Sequence, residues 1–331
     1  WCVVSVPVLN WAKKVFPNDA DDAAMEKLWE AIFSAIRVTE GGDAVKAWRA
    51  HCAYLEEMAG RLNALQLKQV RYKNALGTDV VVWMAGADTA KSGVRFVANM
   101  PTEEIFSAPK RDAVDGVLAA SKPLALNGNV IEGIRLTLEH GRIVGIHADT
   151  NEEVLRQAIE TDEGAHYLGE IALVPVDSPI AQSGLLFYNT LFDENAACHF
   201  AFGQAYPACV PGGDDLSEDE LVRRGINVAS TMHVDFMVGT EDLSIIGTTK
   251  DGREVALTAL EFDLLAMLVR RNNVALSREA LLAGVWGYAY QGETRTVDVH
   301  IQRLRGKIGA EYIETVYKYG YRFCGKEVER R

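Results

Sequence analysis

Apolar residues recur at helical spacing through residues 21–38 and again through 43–72, where Trp48, Leu55, Met58, Leu62 and Leu65 share one face. Two helices are predicted there, the second the longer. The opening run Trp1-Cys2-Val3-Val4-Ser5-Val6-Pro7 predicts a buried strand, and since it starts the chain abruptly, the N-terminus is expected to lie upstream. Beyond Gly77 the period changes to two. Strands are predicted over 80–84, 93–98 and 116–120, and the turn signals Asn127-Gly128-Asn129 and His140-Gly141-Arg142 between alternating runs predict a β-meander. A short helix is expected over 151–161, a strand over 168–175, a loop-rich stretch from 179 to a helix near Ala196, a loop over 211–215, a small helix from Ser217, and a strand over 233–238.

From about residue 255 the pattern becomes helical again. Thr258-Ala259-Leu260-Glu261 reads as a capping box before a helix carrying Phe262, Leu265 and Leu268. Ser277 caps a second helix with Leu281, Val285 and Trp286, a third runs over 293–308, and a hairpin joins 313–317 to 321–324. Three helices and a terminal hairpin in this order are the winged-helix variant of the helix-turn-helix. The expected class is therefore α+β: a mixed α/β part followed by a winged helix-turn-helix.

With 331 residues, 48% of them hydrophobic, the chain can build two cores. Charge separates its ends. Residues 253–331 hold 13 Lys and Arg against 10 Asp and Glu, leaving 21 against 36 for residues 1–252. An acidic region binds phosphate poorly, so affinity for nucleic acid belongs at the C-terminal end. Five scattered cysteines without a CxxC fit reduced thiols in the cytoplasm, and no apolar run is long enough to span a bilayer.

The acidic part carries five polar clusters: Asn99-Met100-Pro101-Thr102-Glu103-Glu104, Leu168-Gly169-Glu170, Phe192-Asp193-Glu194-Asn195, Cys198-His199 and His233-Val234-Asp235. Hard divalent cations take carboxylate oxygens, while zinc and cobalt also take imidazole, so four carboxylates and two imidazoles suit two ions sharing a carboxylate. His233 and Asp235, two apart on a strand, face one way. Glu170, leading into Ile171-Ala172-Leu173-Val174, is a carboxylate on a buried strand that needs a partner. Singly, each cluster reads more readily as a solvated face or a structural hydrogen bond than as a set of ligands.

These stretches, together with Val174-Pro175-Val176-Asp177-Ser178-Pro179-Ile180 and Leu186-Phe187-Tyr188-Asn189-Thr190-Leu191-Phe192, resemble the thermophilic metallo-aminopeptidases of the aminopeptidase T and S type, over residues 1–247. The resemblance implies two divalent ions, zinc or cobalt with magnesium or manganese as alternatives, held by Glu104, Glu170, Glu194, His199, His233 and Asp235. Whether Glu103 or Glu104 is the ligand stays open. The implied chemistry is hydrolysis of peptides at a free N-terminus, with metal ions polarising the carbonyl and activating water, Glu103 carrying the proton and Tyr206 stabilising the oxyanion. Tyr206 reads otherwise as a core tyrosine. The family has a whole N-terminal domain before the segment matched here, which helps enclose the site and form a homodimer, and its own ending beyond residue 247 is replaced.

In the C-terminal part, Val297, Ile301, Leu304 and Ile308 make a core stripe on the third helix, leaving a basic face outside it. A basic face on that helix is what docking in a major groove requires; an ordinary solvated helix is the alternative. Leu257-Thr258, Ser277-Arg278-Glu279-Ala280-Leu281-Leu282, Val285-Trp286-Gly287-Tyr288 and Gly320-Tyr321-Arg322-Phe323 resemble the OmpR/PhoB family of response-regulator effector domains over 253–324. That resemblance implies binding of double-stranded DNA through Arg295, Thr296, Asp298, Val299, His300, Arg303, Arg305 and Lys307 on the helix and Lys318 and Arg322 on the wing. The wing departs from the family at Lys318, where a glycine is usual, and the receiver domain expected upstream is replaced by the peptidase-like part.

Two units are expected, 1–247 and 248–331. Three functional readings stay open: an aminopeptidase with an appended DNA-binding domain, a regulator on an inert peptidase-like scaffold, and a chimera without integrated function. The seam 243–255 lacks linker composition, and its hairpin is expected to serve both halves.

Overall fold

The computed structural model describes residues 4–87, 93–286 and 295–324. Two antiparallel sheets build the larger part. The first has seven strands in the order Glu254–Thr258, Ser244–Thr249, Leu67–Lys73, Asp79–Met84, Pro109–Ala119, Arg135–Glu139 and Arg142–His147. The second has five, in the order His233–Met237, His199–Gly203, Leu168–Leu173, Ile105–Ser107 and Val97–Ala98. Their apolar faces meet in one core, where Tyr72 of the first sheet meets Phe200 of the second edge-on, ring centroids 5.0 Å apart. Helix Ala44–Leu65 adds Leu55, Met58, Ala59 and Leu62 to that core.

The predicted long helix 43–72 is two elements. It stops at Leu65, Gln66 turns the chain at φ +50°, and Leu67–Lys73 continues as a central strand. The reason is the change of period: Val70 and Tyr72 point in while Arg71 and Lys73 point out, and strands on both flanks satisfy the backbone. The predicted strand 93–98 shrinks to Val97–Ala98, and that of 116–120 begins earlier, at Pro109. Residues 4–7 are not a buried strand; Val4 and Val6 are exposed, and Trp1 to Val3 lie outside the described residues. Both turns join paired strands, but not in one meander: Leu124–Leu126 and Asn129–Ile131 form a separate two-stranded sheet, and Pro109–Ala119 pairs directly with Arg135–Glu139.

The C-terminal part has helices Ala259–Arg270, Arg278–Trp286 and Arg295–Ile308 and a three-stranded sheet ordered Ala275–Ser277, Gly320–Phe323 and Ile313–Val316. Ser277 Oγ accepts from Ala280 N, capping the second helix as its sequence predicts. The capping box at Thr258 involves side chains outside those described, as do Trp286, Gly287 and Tyr288.

The seam is a hairpin. Strand Ser244–Thr249 pairs with Leu67–Lys73 on one edge and with Glu254–Thr258 on the other. Thr249 closes the turn: its N–H donates to Arg253 O at 2.9 Å and its Oγ accepts from Arg253 N at 3.1 Å, with Gly252 at φ +85°. The boundary expected at 247/248 therefore falls inside a strand, and the large sheet runs on to Thr258, one residue before the first winged-helix helix. The parts also touch away from the hairpin. Arg270 pairs with Asp177 and lies 4.0 Å over the Tyr54 ring, and Arg61 lies over Phe323.

Candidate metal centre and nucleic-acid interface

Strand register gathers the polar clusters. Ala201, in the middle of His199–Gly203, is opposite Glu170 on one neighbour and Asp235 on the other. Residues opposite one another share a face, and so do residues two apart on a strand. Glu170, His199, His233 and Asp235 therefore all project from one side of the sheet. Glu104 joins them from the turn entering Ile105–Ser107, which pairs with Leu168–Leu173.

His199 Nε2 lies 3.0 Å from Glu104 Oε2, 3.6 Å from Glu170 Oε1 and 3.9 Å from Asp235 Oδ1. His233 Nε2 lies 3.5 Å from Glu170 Oε2 and 3.4 Å from Asp235 Oδ1. Two groups of prospective ligand atoms result, Glu104–Glu170–His199 and Glu170–His233–Asp235, each with its atoms within 4.8 Å of one another. Glu170 belongs to both.

Three observations test whether this set suits a cation. Glu104 Oε2 is buried and has no hydrogen-bond partner; the close His199 contact lacks the alignment of a hydrogen bond. The other Glu104 oxygen accepts from Asn99 Nδ2 at 2.6 Å. Both imidazoles have Nδ1 beside a backbone carbonyl, His199 at Ala197 O (3.2 Å) and His233 at Gln204 O (2.7 Å). A proton on Nδ1 leaves the Nε2 lone pair turned to the carboxylates, the tautomer a metal needs.

The electrostatics agree. Burial raises Glu170 to about 7, with Glu104 and Asp235 adding to it and His199 opposing. Burial, then Asp235 and Glu104, push Glu194 up to about 9, but Glu194, expected as a ligand, belongs to neither group of close ligand atoms. Against burial, Asp235 and Glu170 raise His233 to about 9, and Glu104 leads the groups that hold His199 well above the usual imidazole range. His233 and His199 hold Asp235 low in spite of its burial. Without a cation the cluster keeps protons to limit carboxylate repulsion; a divalent ion would replace them.

Tyr206 stands beside the cluster, its ring 5.1 Å from that of His233 and 5.7 Å from that of Phe106. It is 45% exposed, not a core tyrosine, and burial of its ring together with the carboxylates lifts its hydroxyl to about 12. Glu103 differs from its neighbour. Arg37 Nη1 and Nη2 donate to both its oxygens, at 2.5 and 2.7 Å, and His51 Nε2 lies 3.5 Å away. The proton-carrying role expected of Glu103 thus meets a carboxylate already clamped by a guanidinium. Sequence reasoning missed Arg37 and His51, which lie 66 and 52 positions before Glu103 with no local pattern linking them. Asn195, named within a polar cluster but given no role, has its Oδ1 accepting from Glu103 N at 2.7 Å.

Helix Arg295–Ile308 buries Val297, Ile301 and Leu304, as its stripe predicts. Arg295, Val299, Gln302 and Arg303 are exposed, and neither Arg295 nor Arg303 forms an ion pair among the described residues. Other expected DNA contacts have partners within the chain. Asp298 Oδ1 accepts from Arg278 Nε at 2.7 Å and from the Tyr321 hydroxyl at 2.6 Å. Arg305 donates to Ile313 O and to Thr315 Oγ, Lys307 pairs with buried Glu261, and Arg322 pairs with Glu314. Half-buried His300 has Nδ1 2.8 Å from Thr296 O. Lys318 is exposed at the wing tip, at φ +59°.

The structure thus joins a carboxylate–imidazole cluster suited to divalent cations, on an antiparallel sheet, to a three-helix unit with a terminal hairpin. Residues 1–259 match the family of thermophilic metalloproteases (M29), and the chain belongs to that family. Residues 252–323 match the C-terminal domain of transcriptional regulatory proteins. Aminopeptidase AmpS of Bacillus subtilis is 48% identical over 260 residues, 76% of this chain and 63% of that protein. The solved structure of wild-type AmpT from Thermus thermophilus matches with a TM-score of 0.65 at 42% identity, over 76% of this chain and 62% of that one. The transcriptional regulatory protein CseB of Streptomyces coelicolor is 41% identical over 115 residues, 34% of this chain and 45% of that protein. The chain thus spans less than two thirds of the length of the aminopeptidases it resembles. The two matches overlap at 252–259, on the outer strand of the seam hairpin. Among the described residues no helix is long and apolar enough to cross a membrane.

Proposed function

We propose that the part ending at Thr258 is the catalytic region of a dinuclear metallo-aminopeptidase, and that the part from Ala259 onward binds double-stranded DNA. The observation that carries the first half is the pair of ligand groups sharing buried Glu170, with one Glu104 oxygen left without a hydrogen bond. Glu104, Glu170 and His199 would hold one divalent ion and Glu170, His233 and Asp235 the other, with Glu194 completing the set. Zinc or cobalt suits the two imidazoles; magnesium and manganese suit the carboxylates. When bound, the ions supply Lewis-acid polarisation and activation of water.

The chain's own residues do the rest. Gln204 and Ala197 carbonyls orient the imidazoles, and Asn99 fixes Glu104. The Tyr206 hydroxyl, kept protonated by its surroundings, donates to the developing oxyanion. Glu103, clamped by Arg37, holds the turn that presents Glu104. The substrate class is a peptide with a free N-terminus, and a homodimer in the cytoplasm belongs to the same reading. Metal analysis of the full chain, with hydrolysis of a free-amine dipeptide amide, tests it against Glu170→Gln. Absence of bound metal and of turnover in the parent chain refutes the reading.

For the DNA-binding half, exposed Arg295 and Arg303 on the third helix and Lys318 on the wing give a cationic face, while Asp298, Arg305 and Lys307 hold that face together. Binding to duplex DNA should weaken steeply with salt. No retention of duplex at low salt refutes it.

A further inference from the structure

A cavity of about 410 Å³ lies between the two sheets, separate from the metal cluster. Leu67, Val70, Tyr72, Leu173 and Ile245 give it apolar walls, and Asp263, from the first winged-helix helix, lies in its lining. Cys198 lines it too, while the next residue, His199, turns to the cluster, as alternation along an extended chain requires. Asp263 is 9% exposed, and its buried Oδ2 has no hydrogen-bond partner. The nearby cation Arg270 is committed to Asp177 and the Tyr54 ring. Lys122 also lines the cavity but forms no ion pair with Asp263 among the described residues. A buried carboxyl of this kind is costly unless something pairs with it. The cavity is far larger than one water needs and falls in the size range of small-molecule sites.

We propose that this cavity binds an apolar primary amine, its hydrocarbon body against Val70, Tyr72 and Ile245 and its ammonium group on Asp263. An alkyl or aryl amine and the amino end of an apolar amino acid share this chemistry. Burial holds Asp263 near a value of about 8, so at pH 7 the incoming ammonium displaces a proton from it. Isothermal titration of the full chain at pH 7 with phenethylamine, its neutral isostere phenethyl alcohol, and phenylalanine amide tests the proposal. Phenethylamine is expected to bind at least tenfold more tightly than the alcohol. That advantage should disappear in Asp263→Asn, and the binding heat should vary with the ionisation enthalpy of the buffer as the proton is released. If phenylalanine amide shows the same dependence on Asp263, amino-acid amines are ligands; if it does not, the site takes simple amines. Equal affinity for amine and alcohol, or amine binding unchanged by Asp263→Asn with buffer-independent heats, overturns the proposal.

Discussion

Asp263→Asn should stabilise this protein at neutral pH, and by an amount that depends on pH in a defined direction. The carboxyl sits where helix Ala259–Arg270 meets the large part, with Asp177, Arg270 and Tyr54 on one side and Cys198, Lys122 and Glu241 around the adjoining cavity. Burial, reinforced by Asp177 and opposed by Arg270, raises it from 3.8 to about 8. Because the folded value lies above the unfolded one, the folded chain keeps a proton that the unfolded chain has released throughout that interval. Stability from this group is complete below about pH 4 and is lost as pH rises to about 8. At about 1.4 kcal/mol per unit, the loss between pH 5 and 8 is at most ~4 kcal/mol. An asparagine does not ionise, so the difference between variant and parent should grow across that range. The amide is itself short of partners, at a cost of roughly 1–3 kcal/mol that does not change with pH. Urea unfolding of both proteins at pH 5, 6, 7 and 8 reads the difference directly. A flat difference, or one that shrinks as pH rises, would mean that Asp263 is solvated or paired and that the buried-acid argument is wrong.

Chelation should lower the thermal midpoint, and the metal-stripped chain should lose stability between pH 5 and 9, because Glu170, Glu194 and His233 all have folded values raised into that window; calorimetry with and without added divalent metal checks this, and the loaded protein should vary less. Arg303→Ala should weaken duplex binding and reduce its salt slope by about one while leaving the melting temperature unchanged. Arg305→Ala, which removes the donors to Ile313 O and Thr315 Oγ, should instead destabilise the wing by roughly 1–3 kcal/mol, visible in hydrogen exchange of strand Ile313–Val316. Lys318→Gly should relieve a left-handed backbone at φ +59° and stabilise the wing by about 0.5–1 kcal/mol, yet weaken duplex binding by removing a cation; denaturation and filter binding should move in opposite directions.

What could be read from sequence divides along a physical line. Elements whose period stays constant were legible: helix Asp21–Ala35, the two hairpin turns at Asn127 and His140, and the winged-helix stripe at Val297, Ile301 and Leu304. The break at Gln66 was not, because Leu67–Lys73 has only seven residues and owes its strand form to neighbours at Asp79–Met84 and Ser244–Thr249, the second more than 170 positions away. At the site, spacing alone put His233 and Asp235 on one side of a strand, and the structure has them there, 3.4 Å apart; it could not tell a ligand pair from a structural one. That Glu104, and not Glu103, reaches the histidines was not legible, since the choice depends on Arg37 taking both Glu103 oxygens. The seam shows the same dependence. Its composition gave a hairpin that could serve either half, but the register commits it: five residues of Glu254–Thr258 pair with Ser244–Thr249, which in turn pairs with the central strand Leu67–Lys73. The winged helix therefore leaves from the edge of the peptidase sheet with no free spacer, and its first helix is brought against Asp177 and Tyr54. That direct departure is why an acid of the first winged-helix helix comes to lie in a cavity of the peptidase part. The stability of Asp263 variants accordingly measures whether the two parts stay docked in solution.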